Sequence, residues 1–159
     1  MNTIFLLLGS NLGDRNQFLQ QAIQHLQIEI GPVMQTSAVY ETQSWGKTDS
    51  PDYLNQVIQL QTELSAQQVL QKILNIELVI GRVRDEKWGP RTIDIDILFY
   101  NSLLVNEPDL QIPHPELHKR RFTLAPLAEI APDFIHPVFN KSILQLKNEL
   151  KDSLIVKKL

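Results

Sequence analysis

From Thr92 to Ile97 apolar and polar residues alternate, and the odd positions Ile93, Ile95, Ile97 and Phe99 are all apolar. A period of two belongs to a strand with one face in a core and the other open, so this stretch predicts a strand at Thr92–Phe99 with its isoleucines covered. Asp94 and Asp96 then share the opposite face, about 6.5 Å apart along the strand. Two carboxylates at that spacing can serve one or two cations, and their hard oxygens suit magnesium. An isolated Asp-x-Asp fits a solvated strand face equally well. The local sequence weighs against that reading, because Asp is disfavoured in strands and like charges on one face repel. The pair also follows Trp88-Gly89-Pro90-Arg91, with Arg82, Arg84 and Lys87 just upstream. Cations in that position can hold a polyphosphate from the side opposite a metal.

At 159 residues, 43% of them hydrophobic, the chain can bury a sizeable core as one domain spanning 1–159. A net charge of -3 opposes broad nucleic-acid binding, which neutralises many phosphates. The absence of cysteine excludes disulfides, thiol catalysis and cysteine-bound zinc. Ile4 to Leu8 is too short for the core of a signal peptide and no stretch approaches membrane-spanning length, so a cytoplasmic chain without a membrane partner is expected.

In chain order, Ile4 to Leu8 predicts a strand buried on both faces, entering a turn at Gly9. The turn from Gly9 to Gly13 matches neither common phosphate-binding glycine pattern and reads as a strand-to-helix connection. A helix follows, with Asp14 as N-cap, apolar residues at Phe18, Leu19, Ala22, Ile23 and Leu26, and a stop at Gly31-Pro32. Val33 to Thr42 reads as one strand and Gln43 to Asp52 as a loop. On the strand from Tyr53 to Thr62, Tyr53, Asn55 and Val57 share one face, which displays an aromatic plane beside a carboxamide, or simply a sheet surface. Ser65-Ala66-Gln67-Gln68 is a capping box opening a helix with a stripe at Val69, Ile73, Ile76 and Ile80, ended by Gly81. Glu77 lies beside that stripe, as a wet boundary carboxylate by default or as a site residue.

After the Thr92–Phe99 strand, Asn101-Ser102 predicts a turn into Leu103–Val105 that forms a hairpin. His114 between Pro113 and Pro115 is rigidly held, which suits a phosphate donor or a loop anchor. A short helical turn leads to Arg120-Arg121-Phe122, and Phe134 to Phe139 reads as a last hairpin. Ser142 opens a second capping box and a helix to about Leu150, and Leu154 to Val156 adds a strand. The order β, α, β, β, α, β predicts an α+β, ferredoxin-like sandwich with a C-terminal helix and strand added.

Gly9-Ser10-Asn11, Tyr53-Leu54-Asn55, Ile76-Glu77, Gly81-Arg82-Val83-Arg84, Trp88 through Asp96, Pro113-His114-Pro115, and Arg120-Arg121-Phe122 with Ala125-Pro126-Leu127 occur in this order. Together they closely resemble the 6-hydroxymethyl-7,8-dihydropterin pyrophosphokinases of folate synthesis, from about residue 4 to 132. The resemblance implies an enzyme that transfers pyrophosphate from ATP to the pterin's hydroxymethyl group and releases AMP. It implies two magnesium ions at Asp94 and Asp96. The pterin would lie between Tyr53 and Phe122, its edge read by Asn55 and by the segment from Thr42 to Trp45. Arg82, Arg84, Arg91, His114 and Arg120 match phosphate-side groups, with Arg82, Arg84 and Arg91 in catalysis. Trp88 matches a mobile loop over ATP, and Glu77 lies near the ATP site. Gln43-Ser44-Trp45 departs from the proline that family members often carry shortly after the position of Thr42. Either Arg120 or Arg121 can take the phosphate role. The implied partners are ATP and the pterin alone, with no nucleic acid or membrane, and the implied state is a monomer.

Two other classes share some of these features. A metal-dependent phosphohydrolase uses a carboxylate pair with basic residues but has no use for paired aromatics. A ferredoxin-like RNA-binding module also carries a strand tyrosine, yet it is more basic and has aromatics where this chain has aspartates.

Overall fold

The structure is a computed structural model that describes residues 1–42, 52–81, 92–151 and 156–159. Strand β1 (Asn2–Ser10) is buried from Ile4 onward, and its side chains alternate between two cores. Ile4, Leu6 and Leu8 face helices α1 (Arg15–Glu29) and α2 (Ala66–Ile80), whereas Phe5 and Leu7 pack on the other side of the sheet. This explains the unbroken apolar run. The strand continues through Gly9 and Ser10, so those two residues end the strand and the turn begins after them.

Both helices start where their caps require. Asp14 accepts from the Gln17 N–H at 3.2 Å. Ser65 and Gln68 form the reciprocal capping box, and Gly81 closes α2 in the left-handed region at φ 114°.

The segment predicted as one strand over 33–42 is two, β2 (Val33–Thr36) and β3 (Tyr40–Thr42), both antiparallel to β4 (Tyr53–Thr62). Ser37 interrupts it: its Oγ accepts from the Val57 N–H and donates to the Ala38 carbonyl. The Ala38 N–H then turns to the Glu129 carboxylate. With β5 (Asp94–Tyr100) the sheet order is β5-β1-β4-β3-β8, β2 lying along β4 and β8 being Val156–Lys158. The antiparallel order β5-β1-β4-β2/β3, with α1 and α2 on one face, is the ferredoxin-like arrangement.

The pairing of β1 with β5 carries a bulge. Leu6 opposes Ile97 and the next residue, Phe5, opposes Phe99, which leaves Leu98 extra. The bulge flips Phe99 away from Ile93, Ile95 and Ile97 into the second core, against Phe5 and Phe134. All four apolar residues were expected on one face, and only the three isoleucines share it.

The expected hairpin at Asn101-Ser102 does not form. The turn is present, with Asn101 at φ 50°, but β6 (Val105–Glu107) pairs forward with β7 (Leu110–Ile112) as a separate ribbon. The free side of β5 instead receives the His114 N–H at the Leu98 carbonyl and a carboxylate from α2, described below.

The second face is covered by α3 (Arg121–Ile130), α4 (Ile143–Glu149) and the 3-10 turn Leu117–Lys119. The pattern of residues anticipated only a short helical turn here. Pro126, buried inside α3, removes a backbone donor and hides the helix from a local reading. The expected hairpin over 134–139 reduces to one bridge between Ile135 and Ser142. At α4 only half of the second capping box forms: Ser142 accepts from the Gln145 N–H, while the Gln145 amide donates to Glu149.

Candidate active site

Residues opposed across neighbouring strands share a face. Asn55 opposes both Tyr40 and Gly9, and Gly9 opposes Asp94, so a single row crosses β3, β4, β1 and β5. Thr42 opposes Tyr53 and Leu7 opposes Asp96, two positions to either side, so Thr42, Tyr53, Asn55, Asp94 and Asp96 all lie on the α3 side. The face of the paired carboxylates is therefore the face of the aromatic and carboxamide. They meet only because three strands bring them into register.

Gly9 is the gap in that row. Asn55 and Asp94 stand two strand spacings apart, about 9 to 10 Å, and the residue between them contributes no side chain. A Cβ at Gly9 would lie 2.8 Å from Asn55 Nδ2. Asn55 is buried, and its Nδ2 donates to the Leu8 carbonyl at 3.3 Å, so the carboxamide reaches across to β1 and its amide end lies over Gly9. No role was assigned to Gly9 from the sequence. The available signal was a glycine directly after the apolar run Ile4 to Leu8. Thr42 is also buried, and its Oγ1 has no hydrogen-bond partner among the described residues. An orphaned hydroxyl beside Tyr53 is a place for a ligand's polar edge.

Phe122 stands in the first turn of α3, packed at the margin of the second core, with the Arg120 guanidinium 5.4 Å from its ring centroid. Arg121 donates instead to the Leu150 carbonyl at 3.2 Å. His114 follows a cis Ile112–Pro113 bond, and its Nδ1 accepts from the Glu116 N–H at 3.1 Å. A neutral imidazole accepting at Nδ1 carries its proton on Nε2 and offers a donor there. Burial first and the Arg120 charge second push His114 below the usual histidine range, with Glu116 opposing, so the neutral form is favoured.

Glu77 is not the wet boundary residue expected by default: it is 2% exposed, and its Oε2 accepts from the Ile95 N–H at 2.9 Å. Asp94 and Asp96 are half-buried. Among the described residues no group of three or more His, Asp or Glu side chains forms a metal cage. Trp45, Arg82, Arg84, Trp88 and Arg91 lie outside the described residues, and so does the loop expected to cover ATP. The two ends that bracket 82–91 are tied, because Thr92 Oγ1 donates to the Gly81 carbonyl at 3.1 Å.

Comparison with known proteins bears on the same residues. The profile of the 7,8-dihydro-6-hydroxymethylpterin-pyrophosphokinase (HPPK) family matches residues 5–132. The 2-amino-4-hydroxy-6-hydroxymethyldihydropteridine pyrophosphokinase of Aquifex aeolicus is 42% identical over 149 residues, 94% of this chain and 92% of its own length. The protein of that name from Methylorubrum extorquens is 44% identical over 136 residues, covering 85% and 86%. Among solved structures, wild-type Plasmodium falciparum HPPK-DHPS with SDX-DHP superposes with a TM-score of 0.73 at 18% identity, covering 94% of this chain. This chain spans 43% of that one, and the likeness speaks to the fold alone. The family profile spans most of β1, strands β2 to β5, α3 and both carboxylates, and two relatives above 40% identity each match at least 85% of this chain and of their own length: the chain belongs to the 7,8-dihydro-6-hydroxymethylpterin-pyrophosphokinase family.

Proposed function

We propose that the α3 side of the sheet is where this chain transfers pyrophosphate from ATP to the hydroxymethyl group of 6-hydroxymethyl-7,8-dihydropterin, the folate-pathway activity of its family. The observation that carries the placement is the row Asn55, Gly9, Asp94, which sets a carboxamide, a residue without a side chain and a carboxylate side by side. Tyr53 and Phe122 supply the two faces of a stack for a flat heterocycle, and Asn55 with Thr42 supplies polar partners for its edge. Trp45 extends that edge-reading segment. On the phosphate side, the Nε2–H of neutral His114 and the charge of Arg120 face the polyphosphate, joined by Arg82, Arg84 and Arg91, with Trp88 shielding it and Glu77 nearby. The engagement of Arg121 with Leu150 favours Arg120 for this role.

The donor set fits magnesium. Asp94 and Asp96 are hard oxygen ligands at neighbouring same-face positions, and two carboxylates leave most coordination places to phosphate oxygens and water, as magnesium prefers. Asp94 and Asp96 would hold two ions, which supply Lewis acidity and charge neutralisation when bound. The remaining work belongs to the protein. The aromatic pair orients the pterin hydroxyl toward the phosphate chain, and the cations bind charge that moves onto the AMP oxygen. In this reading residues 1–159 work as one domain, since a single sheet supports both cores, and as a cytoplasmic monomer whose partners are the two small substrates.

The test is product analysis with ATP, magnesium and the hydroxymethyl dihydropterin. AMP and pterin diphosphate formed in equal amounts, and only when pterin is present, are expected. Pterin-independent release of phosphate would instead indicate a hydrolase.

A further inference from the structure

We infer that Glu77 is a positioning residue for Asp94 and Asp96, acting through the backbone N–H of Ile95; this rests on the reading that the two aspartates hold the metal. Glu77 lies in the buried stripe of α2 with Val69, Ile73 and Ile76. A carboxylate carried into that layer is costly unless it is hydrogen-bonded, and an apolar residue would serve packing alone better. The Glu77 Oε2 accepts from the N–H of Ile95, the residue between the two aspartates, at 2.9 Å.

β5 ends the sheet, and β1 is the strand it pairs with among the described residues. The outer side of such a strand has no ladder to hold its peptide groups, so its twist and the aim of its side chains are less determined. Glu77 takes the place of a neighbouring strand at one peptide. That peptide is planar and includes the Cα atoms of both Asp94 and Ile95, so fixing its N–H limits the backbone torsions that aim the Cα–Cβ bonds of Asp94 and, one residue further on, Asp96. The Thr92–Gly81 tether holds the approach to β5 against the end of the same helix. α2 thereby sets the geometry of a carboxylate pair that stands on the opposite face of the sheet. Groups that orient metal ligands in this way commonly change metal affinity by about 10- to 100-fold when removed.

The test compares Glu77→Ala and Glu77→Gln with the wild-type chain. Glu77→Ala should raise the magnesium concentration for half-maximal activity by about tenfold or more, with the KM for pterin nearly unchanged. Calorimetric titration of manganese into the protein with a non-hydrolysable ATP analogue should show the same loss without turnover. Glu77→Gln keeps an acceptor oxygen for the Ile95 N–H and should recover most of the affinity. Amide exchange at Ile95, measured without metal or nucleotide, should be fastest in Glu77→Ala and intermediate in Glu77→Gln. If Glu77→Ala does not fold, Glu77→Gln carries the test: faster Ile95 exchange with weaker metal binding supports the role, and wild-type values for both overturn it. A folded Glu77→Ala with unchanged metal dependence also overturns it. So does a loss confined to ATP affinity, which would make Glu77 an ATP contact. Failure of the underlying reading looks different, because Asp94→Asn and Asp96→Asn would then keep their activity whatever Glu77 does.

Discussion

Replacing Gly9 with alanine adds a single methyl group to the floor of the site. The new Cβ would lie 2.8 Å from Asn55 Nδ2, closer than real Cβ contacts, so the Asn55 carboxamide has to turn away and release the Leu8 carbonyl. Loss of that neutral hydrogen bond costs about 1 kcal/mol, while alanine in place of glycine inside a strand returns about 0.5–1 kcal/mol. The two nearly cancel, and the melting temperature should move by no more than about 2–4 °C. Binding has no such compensation. A displaced Asn55 no longer pairs with the pterin edge, and leaving those polar groups unmatched should cost about 2 kcal/mol, or about 30-fold in Kd. The assay is calorimetric titration of the pterin into protein saturated with magnesium and a non-hydrolysable ATP analogue, alongside thermal melts. In an Asn55→Ala background there is no carboxamide to displace, so Gly9→Ala should add little. Pterin binding within about twofold of wild type in Gly9→Ala, or a full additional loss in the Asn55→Ala background, would refute the placement of this gap at the pterin edge.

Asp94→Asn and Asp96→Asn should each remove most activity yet leave the melting temperature unchanged or slightly higher, since each relieves repulsion on one strand face; near-normal turnover at ordinary magnesium would contradict their role. Tyr53→Ala and Phe122→Ala should weaken pterin binding by roughly 1–3 kcal/mol each while ATP affinity changes little, and calorimetry showing equal losses for both substrates would place the stack elsewhere. His136 is buried, accepts at Nδ1 from the Val138 N–H, and has its pKa pushed down to about 4 by burial and by nearby His118. The folded state therefore favours neutral His136, and its stabilising contribution is complete above about pH 6.5 and lost as the pH falls through about 4. Melts across that window should fall less steeply for His136→Asn than for wild type, and equal slopes would show that this group does not drive the change.

The periodic signals in this sequence were those that secondary structure enforces locally. An isoleucine every second residue requires a strand with one covered face, and Asp14, Ser65 and Gly81 mark helix ends because the backbone groups they satisfy lie within three or four residues. Asp94, Asp96, Tyr53, Asn55 and Phe122 were legible as candidate site residues because their types and order resemble a family, and the comparisons uphold the family itself. That knowledge does not say how they meet. Their common face depends on the register of β5, β1 and β4, a long-range property that no local window contains. The same limit explains the misses. Phe99 changed cores because one extra residue, Leu98, entered the ladder, and a bulge is decided by how both strands pack. The strand at 33–42 broke because the Ser37 hydroxyl took the Val57 N–H and Glu129, distant in sequence, took the Ala38 N–H, backbone groups that would otherwise have continued the ladder. α3 escaped notice because its own sequence contains Pro126, and what stabilises it is burial of Leu124, Leu127 and Ala128 against Phe5, Leu7 and Phe99. Glu77 shows the division most plainly: sequence put a carboxylate beside an apolar stripe, where water is the default partner. Only the fold, by leaving the Ile95 N–H on the open side of an edge strand, decided that the carboxylate would be buried against it.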